Sequence, residues 1–198
     1  MAKAVVRGAT AVAGAQAQLI SVSDIDPHQD DPKQADAIIF GTPTCRGRMS
    51  TQCKSFMDAS AKMWVVQGGK EKLAAKFTHS GRQTGDKFKT VTQLLTFVMQ
   101  HGLIWTGLGL IPGGYTSKGS ADDLNRLGGF SGALTQSGNN QRARALAASD
   151  LKTAEALGAC GTGGVAHGAQ TGNSLGVDSK QSCKRLTGCA KGSRGGPS

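Results

Sequence analysis

The sequence predicts an α/β fold, a parallel sheet with flanking helices. Three observations carry this. Short apolar runs alternate with stretches of helical periodicity. The run Ala37-Ile38-Ile39-Phe40 is continuously apolar, as a strand buried on both faces must be. Each run also empties into a polar or glycine-containing loop.

The elements follow in order. Met1–Ala13 places Val5, Val6, Ala9 and Val12 roughly on one face and reads as a helix despite Gly8. Ala17–Val22 is short and partly β-branched, and reads as a strand. Asp24–Lys33 holds Pro27, Pro32 and four aspartates, a loop. Ala35–Phe40 is the clearest strand and runs into Gly41-Thr42-Pro43-Thr44. Ser50 is a good N-cap for the next helix, where Met49, Cys53, Phe56 and Met57 share a stripe. Leu73–Phe77 reads as a strand, followed by the polar loop Thr78–Asp86. Thr90–Gln100 carries Val91, Leu94, Leu95 and Val98 at helical spacing. Leu103–Leu110 reads as a third strand, ended by Ile111-Pro112-Gly113-Gly114. Thr116–Ala148 is polar and irregular, and Asp150–Gly158 is a terminal helix with Leu151, Ala154 and Leu157 inward.

The 198 residues suit one domain plus a tail. Residues 1–159 form the domain; 160–198 hold ten of the 29 glycines, scattered lysines and no hydrophobic period, and read as a disordered tail. The formal net charge is +10, but its lysines and arginines are scattered and no recognition helix accompanies them, so nucleic acid is not the expected partner. Five cysteines with no CxxC pair argue against a zinc site, and no metal is expected. No apolar run approaches the ~20 residues of a membrane span and none reads as a signal peptide, which predicts a reducing cytoplasm with free thiols.

Parallel sheets bind ligands beyond the carboxyl ends of their strands. The candidate loops are therefore Thr42–Met49, Thr78–Asp86 and Pro112–Thr116. Small residues and proline let backbone N–H and C=O groups of such loops meet the edge of a flat heterocycle. Cys45 has no paired base and is not a nucleophile candidate. Arg46, Arg48 and Arg82 are either solvated or attract nucleotide phosphates.

Ala37-Ile38-Ile39-Phe40-Gly41-Thr42-Pro43-Thr44, with Gly47, Met49, Gln52, Phe56, Asp58 and Trp64, resembles the WrbA-type NAD(P)H:quinone oxidoreductases. The resemblance continues through Thr78-His79-Ser80-Gly81, Gln100-His101-Gly102 and Pro112-Gly113-Gly114-Tyr115, and covers about Ala2–Gly158. It implies a flavodoxin-like fold, an FMN cofactor, NAD(P)H as donor, two-electron reduction of quinones and a homo-oligomer, tetramer or dimer. Carried over by position, Pro43, Thr44, Cys45, Arg46 and Gly47 would line the flavin ring. Ser80, Gly81, Arg82, Gln83, Thr84 and Gly85 would form the ring-and-ribityl loop. His101 would be the catalytic residue at the flavin edge and, with Trp64, would line the substrate pocket, Trp64 from its own or a neighbouring subunit.

The sequence departs from the family in three places. Cys45, Arg46 and Arg48 stand where the family usually has Arg, Phe and Asn. Asp86-Lys87 stand near a usual Gln-Glu. The family opens on a strand and a phosphate-cradling loop, and here neither precedes the first helix, so the first strand of the sheet is expected to be missing. The alternative is a non-catalytic flavodoxin-like remnant, an oligomerisation or binding protein with weak or no FMN binding.

Overall fold

The computed structural model describes residues 1–24, 34–138, 140–141 and 146–170, with side chains as far as 163. Among the described residues the elements follow in the order α1 (Ala2–Thr10), β1 (Ala37–Pro43), α2 (Thr51–Ala59), α3 (Ala61–Val65), β2 (Leu73–Ser80), α4 (Lys87–Gln100), β3 (Ile104–Trp105), β4 (Ala133–Gln136) and α5 (Ala148–Gln170).

β2 is the centre of a wholly parallel sheet. β1 pairs along its whole length, from Ala37 opposite Leu73 to Pro43 opposite His79. β3 pairs with the first two residues of β2, and β4 with Phe77–Ser80. The two short strands therefore act in series on one edge, and residues 106–132 leave the sheet between them. β2 is buried almost throughout, which explains its apolar run.

Alternation along the strands sends side chains to two packed layers. On one side Ala75, Ala133, Leu108 and Leu157 are buried together, with Ile39 and Phe77 against them. α1 and α5 cover this face, and they touch backbone to backbone. A Cβ on Gly8 would lie 1.8 Å from the Glu155 carbonyl oxygen, and one on Gly158 would lie 2.0 Å from that of Val5. Glycine at these two positions permits the helix crossing, and the Arg7–Glu155 ion pair borders it. On the other side Ala74, Val98 and Leu103 pack with Ile38, Phe40 and Trp105 under α4. Met49, Cys53 and Leu94 join α2 to the same layer. Phe97 meets Phe40 and Phe56 edge-on, at centroid distances of 5.6 and 6.3 Å.

Four expectations are corrected. Ala17–Val22 is not a strand. Its few β-branched residues find no partner edge, and a lone strand has no ladder to stabilise it. The predicted strand Leu103–Leu110 shrinks to Ile104–Trp105, because Leu108 N–H bonds to the Phe130 carbonyl and the chain leaves β2. The polar stretch Thr116–Ala148 hides β4, whose buried positions are the small or polar Ala133 and Thr135. The last helix runs past Gly158 to Gln170. Most of the expected loop Asp24–Lys33 and residues 171–198 lie outside the described residues. Among the described residues no helix is long and apolar enough to cross a membrane.

Candidate functional site

β1 and β2 end side by side, and this places the first two candidate loops together. Thr44 N–H donates to the His79 carbonyl at 2.8 Å, so the loops part directly from the last ladder rung. Cys45 and Arg48 then exchange backbone hydrogen bonds of 2.7 and 3.0 Å. Arg46 and Gly47 between them have φ of 48° and 77°. Two left-handed residues inside such a bridge make a tight hairpin turn, for which glycine at the second position is well suited. The turn carries Pro43, Cys45, Arg46 and Arg48 exposed at its surface.

Hydroxyls lock this turn to the sheet. Thr78 Oγ1 donates to the Thr42 carbonyl at 2.7 Å and lies 2.8 Å from Thr44 Oγ1. Thr44 Oγ1 reaches Thr90 Oγ1 on α4 at 2.9 Å. Thr42 Oγ1 accepts from Ser50 N–H, and the Ser50 hydroxyl caps α2 by accepting from Cys53 N–H.

The second loop, Ser80–Asp86, is compact. Ser80 Oγ accepts from Arg82 N–H. Gly85 has φ 52°, and a Cβ there would lie 2.2 Å from Ser80 Oγ. A Cβ on Gly47 would be 3.5 Å from the Cβ of Asp86, so the two loops stand against each other. Lys87, 1% exposed, sends its Nζ back beneath the loop to the carbonyls of Arg82 and Gln83, both at 2.7 Å.

A polar cluster continues from the ends of β2 and β4. His79 Nδ1 lies 3.0 Å from Thr135 Oγ1, and its Nε2 lies 3.2 Å from Ser137 Oγ. Thr135 also contacts Met1 Sδ at 3.1 Å, which puts the start of α1 at this end of the sheet. Burial, and then the charge of Lys87, hold the His79 imidazolium below the ordinary histidine range. Asp150, in the first turn of α5, takes a bidentate Arg126 at 2.7 and 2.9 Å and the Gln136 N–H at 2.9 Å.

The third candidate loop stands apart in its bonding. Gly113 N–H donates to the Leu124 carbonyl and Gly114 N–H to Asp123 Oδ2, so Pro112–Thr116 closes on its own segment.

His101, expected beside these loops, lies far from them in the chain's own fold. α4 runs back from the loop ends, so its fourteen residues carry His101 about 20 Å away, to the amino-terminal ends of the strands. There it is 2% exposed, and its ring lies 4.4 Å from that of Phe97. Ser60 Oγ donates to the Met57 carbonyl, so at 3.1 Å it accepts from His101 Nε2. The other ring nitrogen, Nδ1, is buried with no hydrogen-bond partner among the described residues. Burial lowers the tendency of this imidazole to protonate. Trp64 lies at the same end, half exposed, tied through Gln67 to the Gln100 carbonyl. The expected pocket pair is thus adjacent, but remote from the loops of the same chain.

Sequence reasoning missed Lys87, His79, Thr135, Ser137 and Asp150. His79 belongs to the motif Thr78-His79-Ser80-Gly81 and Lys87 to the pair Asp86-Lys87, but neither spacing marks the contact the side chain makes. Nothing local marks a lysine that turns back under its own loop.

No family model matches the chain. The chain is 39% identical over 150 residues to flavodoxin FldP of Pseudomonas aeruginosa, covering 72% of this chain and 79% of that protein. It is 32% identical over 164 residues to an NAD(P)H dehydrogenase (quinone) of Geobacter sulfurreducens, with the same shares covered. Its fold matches the crystal structure of a WrbA-like flavodoxin from Agrobacterium tumefaciens at a TM-score of 0.61 and 30% identity, over 83% of this chain and 87% of that one. A flavodiiron protein from Giardia intestinalis shares the fold alone, at 16% identity and a TM-score of 0.53. The four-stranded parallel sheet, its paired end loops and these relatives agree: the chain belongs to the flavodoxin-like, WrbA-type family of NAD(P)H dehydrogenase (quinone) oxidoreductases.

Proposed function

We propose that this protein is an FMN-dependent oxidoreductase that passes two electrons from NAD(P)H to a quinone and works as a homo-oligomer. The observation that carries this reading is the pair of loops locked together beyond β1 and β2, in a chain related to dehydrogenases of that name. Both loops are built for close backbone approach. Gly47 and Gly85 hold left-handed conformations, and neither could carry a side chain without strain.

The residues present fit FMN. Pro43, Thr44, Cys45, Arg46 and Gly47 would meet one edge of the ring, and Ser80, Gly81, Arg82, Gln83, Thr84 and Gly85 the other edge and the ribityl chain. The phosphate would sit at the start of α1 among Thr135, Ser137 and His79, a hydroxyl-rich place beside a helix N-terminus. Bound there, FMN would supply the hydride chemistry between nicotinamide and quinone. The protein's part is to bind, orient and shield, so no side-chain acid or base need stand in the loops. The exposed Arg46, Arg48 and Arg82 ring the mouth and favour anionic nucleotide.

Trp64 can wall this site only across an interface, because it lies at the opposite end of its own protomer. Val65, Val66 and Met99 are exposed in the elements that flank it, at 71, 70 and 56%. Apolar exposure of this size favours burial by another copy. The reading is tested by titrating the purified chain with FMN, following flavin fluorescence, and then assaying NAD(P)H-driven quinone reduction. Saturable binding with turnover is expected; no binding would leave the non-catalytic alternative.

A further inference from the structure

We propose that Lys87 is a positioning residue that turns the backbone amides of the Ser80–Asp86 loop toward the flavin; this rests on the FMN reading above. A peptide unit is planar and trans, so the C=O of one residue and the N–H of the next point in opposite directions. Lys87 Nζ holds the Arg82 and Gln83 carbonyls inward, at 2.7 Å each. The N–H groups of Gln83 and Thr84, on the same two peptide planes, therefore face outward. Two successive outward amides make a concave donor pair, the kind of backbone nest that receives oxygen atoms and anions. On the FMN reading, these outward amides are the ones that would meet the ring edge and the ribityl hydroxyls.

The bond geometry rests on a side chain held firmly in place. Lys87 opens α4 and is 1% exposed, so its stem is fixed by packing. Its charge is embedded in a defined set of neighbours. Asp150 on α5 favours the ammonium, Arg126 opposes it, and His79 on β2 responds to it. Burial outweighs Asp150, and the amine titrates at about 8. The clamp is thus at full charge below that pH and weakens above it.

The test uses the full chain in two forms, without FMN and with it, as wild type, Lys87→Met and Lys87→Arg. The first readout is the rate of trypsin cleavage after Arg82 in the protein without FMN, taken relative to cleavage after the exposed Lys118. Trypsin must attack the Arg82 carbonyl that Lys87 holds. Losing two charge-assisted bonds should raise this ratio about tenfold or more in Lys87→Met. The second readout is the dissociation constant of FMN, expected to weaken about tenfold to a hundredfold in Lys87→Met and to recover largely in Lys87→Arg. A Lys87→Met protein that is folded by circular dichroism and matches wild type in both readouts overturns the proposal. If wild type binds no FMN, the functional reading fails, while the cleavage contrast still decides whether the clamp exists. If Lys87→Met does not fold, wild type alone decides it. The Arg82-to-Lys118 ratio should rise between about pH 7 and about pH 9.5, either side of the amine's titration, and a flat ratio overturns the proposal.

Discussion

Replacing Lys76 by methionine should stabilise this protein, and by an amount that depends on pH. Lys76 lies mid-strand in β2 with no solvent exposure, and its Nζ has no hydrogen-bond partner among the described residues. Its amine stands over the Trp105 ring, 5.9 Å from the centroid. Burial pushes its pKa from 10.5 down to about 7. That drop of about 3.5 units is worth about 5 kcal/mol at 1.36 kcal/mol per unit. The sign follows from proton linkage. The unfolded chain binds a proton at this lysine up to pH 10.5, whereas the folded chain releases it above about 7. Folding is therefore penalised in full below pH 7, and the penalty fades as pH rises toward 10.5. Methionine has nearly the same shape and carries no charge. Its advantage over lysine should be largest near pH 6.5 and shrink by about 4 kcal/mol by pH 10.5. The assay is urea unfolding of both proteins at several pH values, compared at equal slope. Parallel stability curves across that range would refute the reasoning. So would a methionine variant less stable than wild type at neutral pH.

Other perturbations follow from the same packing. Gly158→Ala should destabilise by more than about 2 kcal/mol in denaturant unfolding, since the new methyl must displace the α1 backbone. Asp150→Ala strips a partly buried Arg126 of its bidentate partner and the Gln136 N–H of its acceptor, and should cost about 3–5 kcal/mol by the same measurement. Gly85→Ala puts a methyl onto Ser80 Oγ in a left-handed conformation; FMN affinity should drop about tenfold or more, read by fluorescence titration. Trp64→Glu should shift the assembly toward smaller species in light scattering while the monomer fold, read by circular dichroism, is retained.

The sequence made the fold class legible because β1 and α4 each satisfy one strong period. The four consecutive apolar residues Ala37–Phe40 mark a strand, although as the sheet's edge β1 is only half-buried at these positions and not buried on both faces, and Val91, Leu94 and Val98 mark the buried face of a helix. β4 was invisible for a physical reason. Its buried positions are alanine and threonine, small or polar residues held by backbone pairing to β2 and by the Thr135 contact with His79 of that strand. Ala17–Val22 has the opposite history, since local β-propensity without a neighbouring edge does not make a strand. The two loops were placed correctly beside each other, because parallel strands end on the same side. What local sequence could not show is where a long helix carries its last residue. His101 follows the loops closely in the chain, yet α4 takes it to the far end of the sheet. Lys87 shows the reverse: its side chain works on residues four and five positions earlier.

The central claim is that electrons pass from nicotinamide to a flavin held by these loops and then to quinone. Its most direct measurement is made without oxygen on the FMN-loaded full chain. NAD(P)H should bleach the visible flavin absorbance of the bound cofactor, and one equivalent of quinone should restore it. A chain that holds FMN but keeps its absorbance when NAD(P)H is added would contradict the account.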